Sequence, residues 1–237
     1  MLLGLVATVL RTTNAQLFDS YVGLNHVGFY VPPDVAELDR LRGLVPIADE
    51  VVDHFGALPL AYVRYYVDPA SSLRAQAGKP TRADQLMALE DGARVLLESG
   101  VAVDPFARPT PWYSLAVIPV IDGLVRPSAD IQMIGTTNGT RLPGLSRDAT
   151  IEGPATIERD GTVVTRELAH LSSPALNLLT RHARYEDLAF AACLSPTRDA
   201  VHAALAANPM VSSESQVSRL IEVLVASPYG PTLVESS

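Results

Sequence analysis

The chain has 237 residues, 48% of them hydrophobic and 19% charged, with a formal net charge of −8. That balance describes a folded protein with a large core. The acidic charge, without any basic stripe, argues against nucleic acid as a partner. The single Cys193 excludes an internal disulfide and a Cys-x-x-Cys metal site. Its helical apolar surroundings, Leu188 to Leu194, predict a small core residue.

Residues 2–10 predict an apolar helix, too short to span a bilayer and without the basic flank of a secretory signal. A cytoplasmic protein with no membrane partner is the expectation. Gly23-Leu24-Asn25-His26-Val27-Gly28-Phe29-Tyr30 reads as a buried strand, or the end of one, carrying two ligand-capable side chains. His26 is either a core histidine satisfied by a carbonyl or a neutral metal ligand, and Asn25 offers both a donor and an acceptor. Pro32-Pro33 ends the strand. Helices over 34–42 and 46–54 follow, then a segment with Tyr62, Arg64, Tyr65 and Tyr66 close together.

Thr81 to Ser99 is the clearest helix, with Thr81 as N-cap, Asp84 three residues on and Gly100 closing it. Leu86, Leu89, Ala93, Leu96 and Leu97 make its apolar face. Residues 102–111 read as a proline-rich loop, and Trp112 to Leu124 as a helix that Pro119 kinks. Asp130 to Gly135 predicts a strand before the Asn138-Gly139 turn. Two short strands, Thr150–Glu152 and Thr156–Glu158, precede an Asp160-Gly161 hairpin. Helices are expected at 173–194, 197–207 and 213–226. The whole chain, 1–237, reads as a single α+β domain: a small mixed or antiparallel sheet packed against several long helices.

In order, Gly23-Leu24-Asn25-His26, Pro59 through Tyr66, Thr81-Arg82-Ala83, Tyr113-Ser114, Asn138-Gly139, Glu152-x-Pro154, Tyr185-Glu186-x-Leu188 and Asn208-Pro209 run along nearly the whole chain. Together they resemble the carboxy-terminal part of the family 4 glycoside hydrolases, NAD- and metal-dependent enzymes that cleave 6-phospho-glucosides. The resemblance implies a lactate dehydrogenase-like carboxy-terminal fold and a redox elimination, the known exception to two-carboxylate glycoside hydrolysis. NAD oxidises the sugar at C3, a divalent metal, usually manganese, polarises the ketone, and a tyrosine removes the C2 proton. Carried over residue by residue, His26 is the metal ligand, Tyr62 the C2 base, and Asn25, Arg82 and Asn138 contact the phosphorylated sugar. Tyr62 could equally belong to an aromatic patch with polar tips, and Arg82 could merely decorate its helix start.

Departures accompany the matches. No Gly-rich turn in a βαβ unit is visible to hold NAD, and Cys193 lies in the wrong segment to serve as the family's cysteine metal ligand. The family's Gly-Gly before Tyr-Ser is Pro109-Thr110-Pro111-Trp112 here, and Glu-Val-Pro is Glu152-Gly153-Pro154. Two expectations follow. One is a 6-phospho-β-glucosidase-like half-site, inactive alone and working with a separate Rossmann-domain chain. The other is a non-catalytic domain acting as an oligomerisation module. A homo-oligomer suits either.

Overall fold

β-branched and aromatic residues flank Asn25-His26 on both sides, and the chain folds back there. β1 (Tyr21–Leu24) and β2 (Val27–Tyr30) pair as an antiparallel hairpin closed by Leu24 opposite Val27. The computed structural model describes residues 2–104, 113, 117–126 and 130–227. Its fold is α+β. Three more strands extend the sheet: β3 (Leu58–Pro59), β4 (Gln132–Thr137) and β5 (Thr150–Ile157). The order is β3-β2-β1-β5-β4, with β6 (Val163–Thr165) also paired to β5, and every pairing is antiparallel. The two short strands expected around residues 150 and 156 are one strand. Pro154 is tolerated because pairing to β1 is confined to Gly23–Glu152, and the Pro154 carbonyl accepts from the Arg166 amide at 3.0 Å.

Side-chain alternation gives the sheet two apolar faces. On one, Val22, Leu24, Val27, Phe29 and Ile151 pack against Ala175, Leu178, Leu179 and Ala183 of α9 (Ser173–Leu194) and Phe55 of α4 (Asp49–Phe55). On the other, Tyr30 and Leu58 join Leu2 and Val6 of α1 (Leu2–Leu10) and Leu38 and Leu41 of α3 (Val35–Leu41). Each fully buried large side chain contributes about 1.5–3 kcal/mol. Ser172 caps α9 and donates to the Phe55 carbonyl at 2.7 Å, which fixes the long helix to α4. Short helices α2 (Asn14–Leu17), α5 (Arg64–Val67) and α6 (Pro69–Gln76) link these layers.

α7 (Arg82–Glu98) forms with the complete Thr81–Asp84 capping box. Its apolar stripe does not enter the core: α7 has no buried residue, and Met87, Leu89, Val95, Leu96 and Leu97 are exposed. α8 (Ile118–Val125) holds Pro119 in its first turn, just where a π-helical residue, Val117, gives way to the α-helix. The expected loop 102–111 and the Trp112–Tyr113–Ser114 helix start fall mostly outside the described residues. α10 (Arg198–Ala207) and α11 (Glu214–Ala226) complete the helices. Cys193 is exposed, not a core residue. α9 outlasts the sheet it covers: its buried row runs to Ala183, with only Ala192 buried beyond it. Among the described residues, no helix is long and apolar enough to cross a membrane.

Candidate functional site

Asn25 and His26 are the two turn residues of the β1–β2 hairpin, not part of a buried strand. Asn25 takes the left-handed region, φ 53, which asparagine adopts more readily than most residues. Both side chains are exposed, so His26 is not a core histidine. Tyr62 arrives from a short 3₁₀ turn, Ala61–Val63, anchored by buried Val63. The Leu60 amide, donating to the Gly28 carbonyl at 2.8 Å, ties that turn to β2. The His26 and Tyr62 rings then lie 4.9 Å apart at 43°, and Tyr62 is 53% exposed. Tyr65 stands 6.3 Å further on.

The hairpin rests on two carboxylates that the sequence reading did not single out for the site. Gly23 and Gly28 pair across the strands, and a Cβ at either would come within 2.6 and 2.3 Å of the Tyr21 hydroxyl. The glycine pair is therefore a platform for the Tyr21 ring. From it the Tyr21 hydroxyl donates to Glu152 Oε2 at 3.2 Å. Burial holds the Glu152 carboxyl above its ordinary range; Glu186 adds to that, while Tyr21 and His26 pull against it. Burial, then Glu152, raise Tyr21.

The second carboxylate, Glu186 of α9, accepts from Asn25 Nδ2 at 2.6 Å. Burial pushes Glu186 up, but His182, Asn25 and the charge of His26 outweigh it, and the group titrates below its ordinary value. His182 is 4% exposed and its Nε2 lies 3.3 Å from Glu186 Oε1, an approach whose angle falls short of a hydrogen bond. Tyr66 meets the His182 ring edge-on at 5.6 Å, and Tyr185 packs at 6.0 Å. The sequence carried a signal only for the second pair, the i, i+4 spacing of His182 and Glu186; the place of Glu152 opposite Gly23 comes from the β1–β5 pairing.

The two other expected site residues are Asn138 and Arg82. Asn138 is 1% exposed, and its amide is engaged by the loop after β4. Its Nδ2 donates to the carbonyls of Leu142 and Ser146 at 3.1 and 3.2 Å, and its Oδ1 accepts from the Leu142 amide at 2.8 Å. That geometry organises a loop and leaves no group for a sugar. Arg82 is exposed in the first turn of α7, where its Nη1 reaches Gln85 at 3.4 Å. Asn25, His26 and Tyr62 lie on open surface; a cleft of about 590 Å³ between α10 and α11, lined by Leu205, Met210 and Leu220, is far along the chain from them.

An imidazole, a phenol and an amide on one surface can hold a polyol and move a proton. A metal asks for more. Among the described residues, no three His, Cys, Asp or Glu side chains converge as ion ligands, so a metal at His26 needs donors from beyond them. A dinucleotide asks for a βαβ crossover, and the antiparallel sheet of the described residues contains none.

The fold has relatives. It superposes on the 6-phospho-beta glucosidase from Thermotoga maritima, solved with NAD and glucose-6-phosphate, with a TM-score of 0.79 and 22% identity, covering 94% of this chain and 56% of that one. A form of the same enzyme solved with manganese, NAD+ and glucose-6-phosphate gives 0.77 at 24% identity over 94% and 57%. A 6-phospho-alpha-glucosidase from gut microorganisms, in complex with NAD and glucose-6-phosphate, gives 0.78 at 19% over 94% and 56%. The chain thus spans little more than half the length of the structures it matches, and the likeness is one of fold. No curated protein matches its sequence. The family model described as the family 4 glycosyl hydrolase C-terminal domain matches residues 21–211, and the chain belongs to that family.

Proposed function

We propose that this chain supplies the sugar-facing half of a 6-phosphoglucosidase centre, with 6-phospho-β-glucosides as its substrate class. The observation that carries this reading is the 4.9 Å approach of the His26 and Tyr62 rings on open surface, beside an Asn25 amide held in place by Glu186. Asn25 and His26 face the sugar, His26 also as one ligand of the divalent metal, and Tyr62 takes the C2 proton as base. Arg82, exposed at the start of α7, is the proposed phosphate contact, since a guanidinium fork matches a phosphate oxyanion. NAD and manganese are present in the solved relatives; here NAD and the manganese donors besides His26 would come from outside the described residues, on a separate Rossmann-domain chain or on more of the same polypeptide. The chain by itself therefore binds but does not turn over. A cytoplasmic setting follows from a substrate whose phosphate charge bars it from crossing a bilayer.

Calorimetric titration with glucose-6-phosphate tests this. The expected result is saturable binding with Kd about 1 mM or tighter, roughly −4 kcal/mol. His26→Ala should weaken it about fivefold, the worth of one hydrogen bond of about 1 kcal/mol. No saturation by about 10 mM, some tenfold above that Kd, would end the reading.

A second reading, a non-catalytic assembly module, is favoured by the exposed stripe Leu89, Leu96 and Leu97 on α7. It predicts a homo-oligomer in sedimentation that Leu89→Asp with Leu96→Asp dissociates, and no glucose-6-phosphate binding.

A further inference from the structure

We propose that Glu186, backed by His182, is a positioning residue for the Asn25–His26 turn; this rests on the reading of that turn as the sugar-facing site. A two-residue turn is held to the sheet only by its closing pair, and its exposed side chains are otherwise free to rotate. Here the Asn25 amide is pinned from outside the hairpin, by a 2.6 Å charge-assisted bond to a carboxylate 161 residues away in sequence. Glu186 is itself restrained. The His182 Nε2 lies 3.3 Å from the same oxygen, and His182 is 4% exposed, with Tyr66 across it at 5.6 Å and Tyr185 at 6.0 Å. His182 stands on the buried row of α9 that also carries Leu178, Leu179 and Ala183. The rigid core helix thus reaches past the sheet and sets the orientation of the turn. Fixing Asn25 restricts the one peptide that also carries His26, and so fixes where the imidazole faces Tyr62. Neither Glu186 nor His182 needs to touch the sugar for this; they act through Asn25.

The test uses the ¹⁵N-labelled chain and two substitutions. Glu186→Gln keeps an acceptor oxygen for the Asn25 amide, whereas Glu186→Leu keeps bulk and removes the acceptor. In the wild type the two Asn25 side-chain amide protons should be widely separated in shift and slow to exchange with water. Glu186→Gln should retain that separation, and Glu186→Leu should collapse it and speed exchange at least tenfold, with the core amides of α9 unchanged. Binding of glucose-6-phosphate should then weaken more in Glu186→Leu than in Glu186→Gln. An Asn25 signal that is unaffected in Glu186→Leu overturns the proposal. Equal losses in both variants, together with lost protection along α9, also overturn it, because Glu186 then acts on the helix and not on the turn. The amide signal needs no ligand, so a chain that binds no sugar refutes the functional reading while leaving this test intact.

Discussion

The glycine platform beneath the hairpin gives the sharpest stability prediction. Gly28 has an ordinary backbone conformation, so Gly28→Ala strains nothing in the chain itself; the added Cβ meets the Tyr21 hydroxyl at 2.3 Å, its ring carbon at 2.8 Å and Leu60 Cδ1 at 3.1 Å. Contacts that short force the Tyr21 ring to leave. Overpacking of this kind costs about 1–3 kcal/mol. Displacing the ring also strips the buried Glu152 of its hydroxyl donor, a loss of about 1.5–3 kcal/mol for a hydrogen bond to a charged group. The 3.2 Å length of that bond places it at the weak end, so the sum is about 2.5–4.5 kcal/mol. A double-mutant cycle in urea, read by circular dichroism, isolates the cause. Tyr21→Ala alone should cost about 3–5 kcal/mol. Adding Gly28→Ala to it should cost less than about 0.5 kcal/mol, because the atoms in the way are gone. Additive costs, or a Gly28→Ala variant as stable as wild type, would refute the platform.

Glu152 sets a pH dependence. Its folded pKa is raised, so its contribution to stability is full below the unfolded value near 4.3 and is lost as pH rises through the folded value. Glu152→Gln keeps an acceptor for Tyr21 and removes the titration: thermal melts should show it gaining on wild type from acid to neutral pH, and a constant difference would contradict this. Asn138→Ala should cost about 2–4 kcal/mol in denaturant, since it strips several buried backbone groups of their partners, yet the folded fraction should bind glucose-6-phosphate as before. A selective loss of binding would return Asn138 to the site.

Much of the fold was legible because local signals agreed with tertiary context. The three last helices, the Thr81 cap and the Asp160-Gly161 hairpin fall where their caps and turn residues put them. The hairpin at Asn25-His26 was missed because its turn residues are not the usual Asn-Gly or Asp-Gly pair, and an unbroken run of apolar neighbours reads as one strand. α7 shows the opposite failure: helical spacing of Leu86, Leu89, Ala93 and Leu96 announces a helix with an apolar stripe but not what covers it. Cys193 was misplaced for a similar reason, since an apolar neighbourhood in sequence says nothing about where a long helix leaves its sheet. His26 and Tyr62, 36 positions apart in sequence, were named through resemblance; their 4.9 Å approach and the carboxylates Glu152 and Glu186 beneath them required the three-dimensional pairing of β1, β2, β5 and α9. The Gly153 departure is also explained in three dimensions: a Cβ there would sit 2.6 Å from Leu168 Cδ2, so Leu168 occupies the space a larger residue would need.

The claim on which the account turns is that one sugar phosphate touches His26 and Tyr62 together. Titrating glucose-6-phosphate into chain with ¹³C-labelled histidine and tyrosine rings measures it directly: the His26 and Tyr62 ring signals should move along one saturating curve with a common Kd, while His54, His170 and His202 stay still. Ring signals of His26 and Tyr62 that remain fixed, or that saturate with different constants, would contradict it.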